Sequence, residues 1–195
     1  MNENEIINDY FDNQLSCIGD LKKLSETIKI IFQKLISARD NGNSIFIMGN
    51  GGSASTATHF TSDLLKTAIT KNEKRFMVHS LSDNTPVVLA WANDVEYNNI
   101  FLGQLENFLK KDNIVIGISG SRNSENVIRA IEFANSQNAI TITLTGKDGG
   151  KLAKLSHINL TVPSDDMLTI ETMHLMICHL ITTMIRSGGE PQFSY

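Results

Sequence analysis

The sequence predicts a flavodoxin-like, doubly wound α/β fold with a central five-stranded parallel sheet. Five short apolar runs alternate along the chain with segments of helical length, which is the pattern of parallel strands joined by crossover helices. Two of these runs lead directly into loops rich in glycine or serine, each followed by a helix. Ligands of such folds bind at the carboxyl ends of the strands, so we expect the site at that edge.

The predicted strands are rich in β-branched residues, as buried parallel strands are. They cover residues 44–48, 76–79, 114–118, 140–144 and 158–162. Between and after them, helices are predicted at about 54–70, 97–110, 123–137, 150–156 and 166–186. The glycines after residue 187 break the last helix, and the tail beyond it is expected to be loose or bound to a partner.

The N-terminal region is predicted to be a helical arm. Apolar residues recur at helical spacing over 6–38, and we predict two helices with a break near Gly19 and Asp20 and an incomplete capping box at Ser25. The 195 residues are expected to form a single domain, with residues 1–41 as an oligomerisation arm. The apolar side chains that support this role are Ile6, Ile7, Tyr10, Phe11, Leu15, Ile18 and Leu21.

The composition argues against several classes of function. A net charge of −4 and scattered lysines provide no broad cationic surface for nucleic acid. No apolar run approaches the roughly 20 residues of a membrane helix, and the acidic N-terminus is unlike a signal peptide. Cys17 and Cys178 lack the spacing of a disulfide framework or a zinc knuckle. We expect a soluble, cytoplasmic protein with reduced cysteines and no membrane or nucleic-acid partner.

Two loops have the composition of anion sites. The first strand runs into GNGGSAS at 49–55, and the third runs into SGSRNS at 119–124. Glycines allow close approach of backbone N–H groups, and serine hydroxyls before a helix N-terminus can hold a phosphate without metal. The first loop matches neither common nucleotide motif, and a tight turn or capping serines would explain part of the pattern.

Five segments occur in the order and spacing of one enzyme family. They are GNGGSASTATHF, ISGSRNSENVI, LTGKDGG, VPSDD and ETMHLMICHL. Over nearly the whole chain the sequence resembles the phosphoheptose isomerases of the SIS (sugar isomerase) superfamily. The resemblance implies an SIS domain that converts sedoheptulose 7-phosphate to D-glycero-D-manno-heptose 7-phosphate through an enediol. It also implies a homotetramer whose sites are shared between subunits.

The resemblance assigns the site residues. Asp63 and His179 take the places of the acid/base pair, and His59, Asp63, Glu171 and His179 stand where some members bind zinc. The residues predicted to bind phosphate or substrate are Asn50, Gly51, Gly52, Ser53, Asp94, Ser119, Gly120, Ser121, Ser124 and Glu171. From spacing alone, His59 and Asp63 share one helical face. An ion pair without metal remains the alternative for this set.

Several positions depart from the family pattern. Asp63 replaces a glutamate, which withdraws the carboxylate by about 1 Å, and Glu171 replaces a glutamine. The sequence also differs from the family at Thr56, Lys66, Thr67, Arg122 and Thr169. The identity of the sugar is therefore left open, and its phosphate could be bound by Lys66 or Arg122. His174 is interpreted as structural, and His79 and His157 are given no role.

Two non-catalytic functions remain as alternatives. One is a sugar-phosphate sensor, which the shorter Asp63 and the unusual Arg122 would favour. The other is an SIS protein of the kind that binds a replication initiator. That second alternative fits less well, because Asp63 and His179 keep the acid and the histidine in kind.

Overall fold

The computed structural model describes residues 2–194 and contains the predicted parallel sheet. The strands are β1 (Ser44–Gly49), β2 (Met77–Ser80), β3 (Ile114–Ser119), β4 (Ile140–Gly146) and β5 (Ile158–Val162). Their order is β2-β1-β3-β4-β5, and every neighbouring pair is parallel. The chain direction across the sheet therefore reverses between β1 and β3, which opens a crevice where the loops after these two strands diverge.

Helices cover both faces of the sheet. They are α1 (Glu3–Leu21), α2 (Ser25–Asn41), α3 (Gly52–Ser62), α4 (Thr85–Asp94), α5 (Leu102–Phe108), α6 (Glu125–Ser136), α7 (Gly150–Leu155) and α8 (Met167–Ser187). A π-helical turn, Asp63–Thr67, extends α3, and short 3₁₀ turns lie at Lys22–Leu24 and Tyr97–Asn99. Helix α4 was not predicted, although the Asn84 cap and Pro86 in its first turn are typical of a helix start.

The N-terminal arm consists of two helices as predicted, but one of its details was wrong. The break lies near the predicted position, because α1 ends at Leu21, one residue after Asp20, and a 3₁₀ turn follows. The capping box is formed by Asn2 and Glu5 at the start of α1. The Ser25 hydroxyl instead donates to the Lys22 carbonyl at 3.0 Å and caps no helix.

Alternation along the strands divides the core into two layers. Ile45 and Ile47 of β1 pack with α1, α2, α3 and α8, whereas Phe46 and Met48 pack on the opposite face, against α5 and α6. Both layers are buried because each face of a parallel sheet is covered by helices. As a result, α3 and α6 approach the crevice from opposite faces.

Helix α8 and the tail differ from two expectations. By length and apolar composition α8 could span a bilayer, contrary to the prediction from apolar runs, yet half of it is buried inside the fold. The tail is attached to the domain as far as Gln192. The Gln192 N–H donates to the Ile69 carbonyl at 3.0 Å and the Lys71 N–H to the Glu190 carbonyl at 2.8 Å, which tie the tail to the segment after the π-turn.

Candidate active site

Three serine hydroxyls meet at the carboxyl end of β3. The Oγ atoms of Ser119, Ser121 and Ser124 lie 3.1–3.2 Å from one another. Ser119 ends β3 and Ser124 is the N-cap of α6, so the loop folds back across the helix N-terminus. Arg122 makes this turn with a φ of 61°, and its N–H donates to the Ser119 carbonyl at 3.0 Å. We call these three side chains the serine cradle.

The serine cradle opens into a cavity of about 210 Å³ between the two predicted loops. The cavity is lined by Asn50, Ser53, Ile118, Ser119, Gly120, Ser121, Ser124, Met167 and Glu171. Gly51 precedes α3 with a φ of 55°, and a side chain at Gly49 would lie 2.7 Å from Ser53. The glycines of the first loop thus allow the α3 N-terminus to approach the cradle, where its N–H groups and partial positive charge favour an anion.

Asn50 is held by two residues that the sequence did not point to. Its side-chain amide forms a reciprocal pair of 2.9 Å hydrogen bonds with the amide of Asn126, which is 1% exposed. The Tyr97 hydroxyl also donates to Asn50 Oδ1 at 2.8 Å. These bonds join the first loop to α6 and to the 3₁₀ turn at Tyr97–Asn99, and we call the amide pair the Asn50–Asn126 clasp.

A second group of polar side chains lies between α3 and α8. His59 Nε2 is 3.1 Å from His179 Nε2, and Asp63 Oδ2 is 3.8 Å and 3.7 Å from these two nitrogens. Both imidazole rings are about half exposed, whereas the Asp63 side chain is 11% exposed. His59 borders an open cleft of about 590 Å³. We call these residues the His–Asp–His cluster.

The geometry of the His–Asp–His cluster fits a divalent metal ion. Asp63 Oδ2 is a buried oxygen without a hydrogen-bond partner among residues 2–194. Tetrahedral zinc with bonds of about 2.0–2.1 Å holds its ligand atoms roughly 3.4 Å apart, and the observed separations of 3.1–3.8 Å bracket that value. Two imidazoles and a carboxylate are donors that zinc prefers, and three protein ligands leave a position open.

Glu171 does not join the other three predicted metal ligands. Its carboxylate lies against Gly52 at the cradle end of α3, where a Cβ on Gly52 would be 2.2–2.6 Å from the carboxylate oxygens. Ser53 and His59 are separated by about 9 Å along α3, and Glu171 and His179 by about 12 Å along α8, at 1.5 Å per residue. The same two helices therefore line the cavity beside the serine cradle at one end and carry the cluster about two turns further on.

Comparisons with known proteins identify the family. A model of the SIS domain matches residues 9–146. The chain belongs to the SIS domain family. It is 41% identical over 166 residues to a phosphoheptose isomerase of Helicobacter pylori strain P12, covering 85% of each chain. It is 37% identical over 181 residues to that of Aliarcobacter butzleri strain RM4018, covering 92% of this chain and 95% of the relative.

Solved phosphoheptose isomerases have the same fold. The structure of phosphoheptose isomerase GmhA from Neisseria gonorrhoeae superposes with a TM-score of 0.89 at 27% identity, covering 95% of this chain and all of the other. The enzyme from Francisella tularensis superposes with a TM-score of 0.87 at 30% identity, covering 96% of this chain and all of the other. Within the SIS family, the chain is therefore a member of the phosphoheptose isomerase branch.

Other predicted residues of this SIS protein lie outside the cavity. Asp94 is exposed and accepts a hydrogen bond from Asn93 at 2.8 Å, so its role stays a prediction. Arg122 forms an ion pair with Asp148, and the Lys66 ammonium lies 4.7 Å from the centre of the Phe193 ring. Thr169 is buried and accepts a 2.8 Å hydrogen bond from Gln14. The side chains of Arg122, Lys66 and Thr169, which differ from the family pattern, thus make contacts with other residues of the same chain.

Two buried groups on α8 are structural. His174 Nε2 donates to the Thr145 carbonyl at 3.1 Å, and burial lowers the pKa of this histidine to about 4. Cys178 is fully buried, and burial, followed by the charge of Asp63, raises the pKa of its thiol. His174 is thus neutral at physiological pH, in agreement with its interpretation as a packing residue, and Cys178 stays a thiol.

Proposed function

We propose that this SIS protein is a cytoplasmic aldose–ketose isomerase that converts sedoheptulose 7-phosphate to D-glycero-D-manno-heptose 7-phosphate. The observation that carries the proposal is that α3 and α8, which hold the His–Asp–His cluster, also line the cavity into which the serine cradle opens. A phosphate held at the cradle would let an extended sugar chain reach towards Asp63 and His179. Similarity to phosphoheptose isomerases over 85% or more of the chain supports the same activity.

The reaction requires a base over carbon and a proton shuttle at oxygen. In the proposed mechanism the Asp63 carboxylate takes a proton from C1 of the ketose, which leaves an enediolate across C1 and C2. His179 moves a proton from O1 to O2, and Asp63 returns its proton to C2. The carbonyl thereby moves from C2 to C1, and no proton is gained or lost overall. The low exposure of Asp63 protects its carboxylate from full hydration.

The proposed cofactor is zinc, held by His59, Asp63 and His179. When bound, such an ion would polarise the carbonyl oxygen and stabilise the enediolate as a Lewis acid. Glu171 was predicted as a fourth ligand, but its carboxylate faces Gly52 at the other end of the site. The alternative without metal is an Asp63 carboxylate that orients and charges one of the two histidines.

The proposed assembly is a homotetramer formed through the N-terminal arm, residues 1–41. Five apolar side chains in the first thirteen residues of α1 are more than 40% exposed, namely Ile6, Ile7, Tyr10, Phe11 and Leu15. Leu21 is buried and Ile18 packs against the core, so these two serve the fold of the chain itself. Exposed apolar patches of this kind mark association surfaces. Light scattering at micromolar concentration should give the mass of four chains, and a monomeric mass would contradict the proposal.

The enzymatic test is direct. Purified protein is incubated with sedoheptulose 7-phosphate, with and without zinc, and the aldose phosphate is quantified. Turnover that Asp63→Asn removes supports the isomerase. Tight binding of the sugar phosphate without turnover would instead favour the sensor, for which Asp63 in place of glutamate is the supporting feature. Absence of both binding and turnover would contradict both functions.

A further inference from the structure

The proposed base lies at the start of an irregular turn. The Asp63 N–H donates to the His59 carbonyl in α3, whereas the Asp63 carbonyl accepts from the Ala68 N–H at 2.7 Å, five residues further on. Such π-helical turns are rare, and they insert one residue into the α-helical register. The Asp63 carboxylate therefore leaves the backbone at the point where the regular helix changes into the wider turn Asp63–Thr67.

The carbonyls at the end of this turn are bonded by the far end of the chain. The last carbonyls of a helix have no partner within that helix and must find one elsewhere. Arg186 Nη1, near the end of α8, donates to the Thr67 carbonyl at 3.1 Å. The Gln192 N–H donates to the Ile69 carbonyl at 3.0 Å. The end of α8 and the tail thus complete the hydrogen bonding of the segment that follows Asp63.

The tail residues 189–193 form what we call the C-terminal strap. The strap runs antiparallel to the segment after the π-turn, where Pro191 forms a β-bridge with Thr70. The approach is close, because a Cβ on Gly189 would lie 3.1 Å from Thr70 Cβ. The strap is therefore seated directly on the segment after the π-turn.

Two side chains clamp the strap to the π-turn itself. Arg186 bonds both parts, with Nη1 on the Thr67 carbonyl at 3.1 Å and Nη2 on the Phe193 carbonyl at 3.2 Å. Lys66, which lies inside the turn, places its ammonium 4.7 Å from the centre of the Phe193 ring, within cation–π distance. The rigid fork of a guanidinium suits two acceptors at once, whereas a lysine ammonium is a point charge.

We infer that Arg186 and Phe193 are positioning residues, which hold the π-turn through the strap and thereby fix the Asp63 carboxylate relative to His59 and His179. The inference rests on the proposed function, because it takes Asp63 as the base and as a metal ligand. Both residues act through the backbone of the turn and not on the substrate. A displacement of about 1 Å at a reacting group can lower a rate on the order of 100-fold, so a loosened turn should be visible in turnover.

The kinetic test compares Phe193→Ala with wild type. The variant removes the aromatic face beneath Lys66, and kcat for sedoheptulose 7-phosphate should fall about tenfold. KM should stay within twofold, because the serine cradle belongs to another loop. Phe193→Trp restores an aromatic face and should return kcat to within twofold of wild type. The matched control is Phe108→Ala, which removes an exposed ring that stacks on His79 at the opposite face of the sheet and should change neither constant.

Two further measurements need no turnover. Hydrogen exchange of the Ala68 amide reports the bond to the Asp63 carbonyl, and the Ile116 amide of β3 serves as the reference for global opening. Relative to that reference, Phe193→Ala and Arg186→Lys should each raise the Ala68 exchange rate at least tenfold. Arg186→Lys keeps the charge and loses the fork. Both variants should also bind zinc about tenfold more weakly, as loss of support behind a ligand does.

Three outcomes would overturn the inference. Unchanged Ala68 exchange would show that the strap does not hold the turn. Faster exchange with unchanged kcat and zinc affinity would show that α3 alone positions Asp63. A raised KM at constant kcat would assign the strap to substrate binding. If wild type neither isomerises the sugar nor binds zinc, the proposed function fails, and Ala68 exchange alone then decides whether the strap holds the turn. Phe193→Ala lies in the tail and keeps the test available if Arg186→Lys folds poorly.

Discussion

The serine cradle and the His–Asp–His cluster are the two ends of one proposed site, and they are built in opposite ways. The three serines of the cradle lie within six consecutive residues and bond to each other. The cluster joins His59 and His179 across a sequence separation of 120 residues. One end is thus a property of a single loop, whereas the other exists only after α3 and α8 have packed together.

The two ends also differ in how far their polar groups are satisfied. Every cradle hydroxyl has a partner, and the Asn50–Asn126 clasp fixes the adjoining loop. In the cluster, by contrast, Asp63 Oδ2 is buried without a hydrogen bond. The difference teaches that the cradle is preorganised, as the proposed phosphate site requires, while the polar groups that still lack a partner are concentrated at the other end.

The largest effect is expected from Asp63→Asn, which should change turnover and leave substrate affinity almost unchanged. Asp63→Asn removes the proposed base and should lower kcat about 1,000-fold, since positioned acid–base groups contribute roughly 10²- to 10⁴-fold. Because the cradle does not involve Asp63, affinity for sedoheptulose 7-phosphate should change less than threefold. Steady-state kinetics and titration calorimetry measure the two quantities, with the exposed His157→Gln as a control. A parallel loss of affinity would show that the two ends are not independent.

Helix α8 carries two histidines, five residues apart, that differ in the same way as the two ends of the site. His179 is half exposed, whereas His174 is fully buried and its pKa is lowered to about 4 by burial. In the unfolded chain the pKa of this histidine is near 6.5, so the unfolded state binds a proton at a higher pH than the folded state does. The contribution of His174 to stability is therefore complete above about pH 6.5 and is lost as the pH falls towards 4. The loss should reach about 3 kcal/mol at the acid end of this range.

Urea unfolding of wild type and His174→Gln between pH 7 and 4 measures this loss. Glutamine cannot take up a proton and can still donate to the Thr145 carbonyl. The difference in unfolding free energy between the two proteins should therefore shrink as the pH falls. A difference that stays constant would show that His174 does not titrate in this window.

Zinc should stabilise the cluster end. At a free zinc concentration 100-fold above its dissociation constant, the free energy of unfolding should rise by about 2.7 kcal/mol, which corresponds to roughly 5–10 °C in Tm for a chain of this size. His59→Gln should abolish the shift, whereas His79→Gln should not, because His79 stacks on Phe46 outside the cluster. Less than about a tenth of an equivalent of bound metal and no gain in Tm would favour the metal-free ion pair.

The sequence predicted those parts that depend on local pattern. All five strands were located within about two residues, because β-branched runs between turns have few alternatives. The cradle was predictable for the same reason, since Ser119 and Ser124 are held together by one turn. Helix α4 was not predicted even though its cap and proline were visible, because none of its residues is fully buried and no core-facing apolar stripe marks it.

The positions of Glu171 and Asn126 could not be predicted from local pattern. Glu171 and His179 are eight residues apart on α8, and spacing allowed both to face the metal. The way α8 packs on α3 decides the matter, because it places Glu171 against Gly52 and only His179 beside His59. The role of Asn126 could not be predicted either, because its partner Asn50 is 76 residues away in the sequence, in the loop after β1.

The smallest effect should come from the Asn50–Asn126 clasp. Asn126→Ala removes both amide hydrogen bonds to Asn50, but Asn50 keeps the bond from the Tyr97 hydroxyl. The first loop should therefore loosen without unfolding, at a cost of about 1–1.5 kcal/mol, and KM for the sugar phosphate should rise about five- to tenfold. Since the clasp does not touch the cluster, kcat should stay within twofold of wild type.

Asn135→Ala is the matched control for the clasp. Asn135 lies on the same helix, but its amide bonds the Leu155 carbonyl and Thr141 on the side away from the crevice. That variant should lower stability and leave KM unchanged, which separates a general loss of packing from a loss of loop position. Asn126→Asp keeps the acceptor for the Asn50 amide N–H but places a buried carboxylate oxygen against the acceptor Asn50 Oδ1. If the amide hydrogen bonds are the cause, this variant should therefore raise KM and lower stability at least as much as alanine does. A fall in kcat of the size expected for Asp63→Asn would instead show that the clasp also sets the geometry of the cluster, and the division between the two ends would then fail.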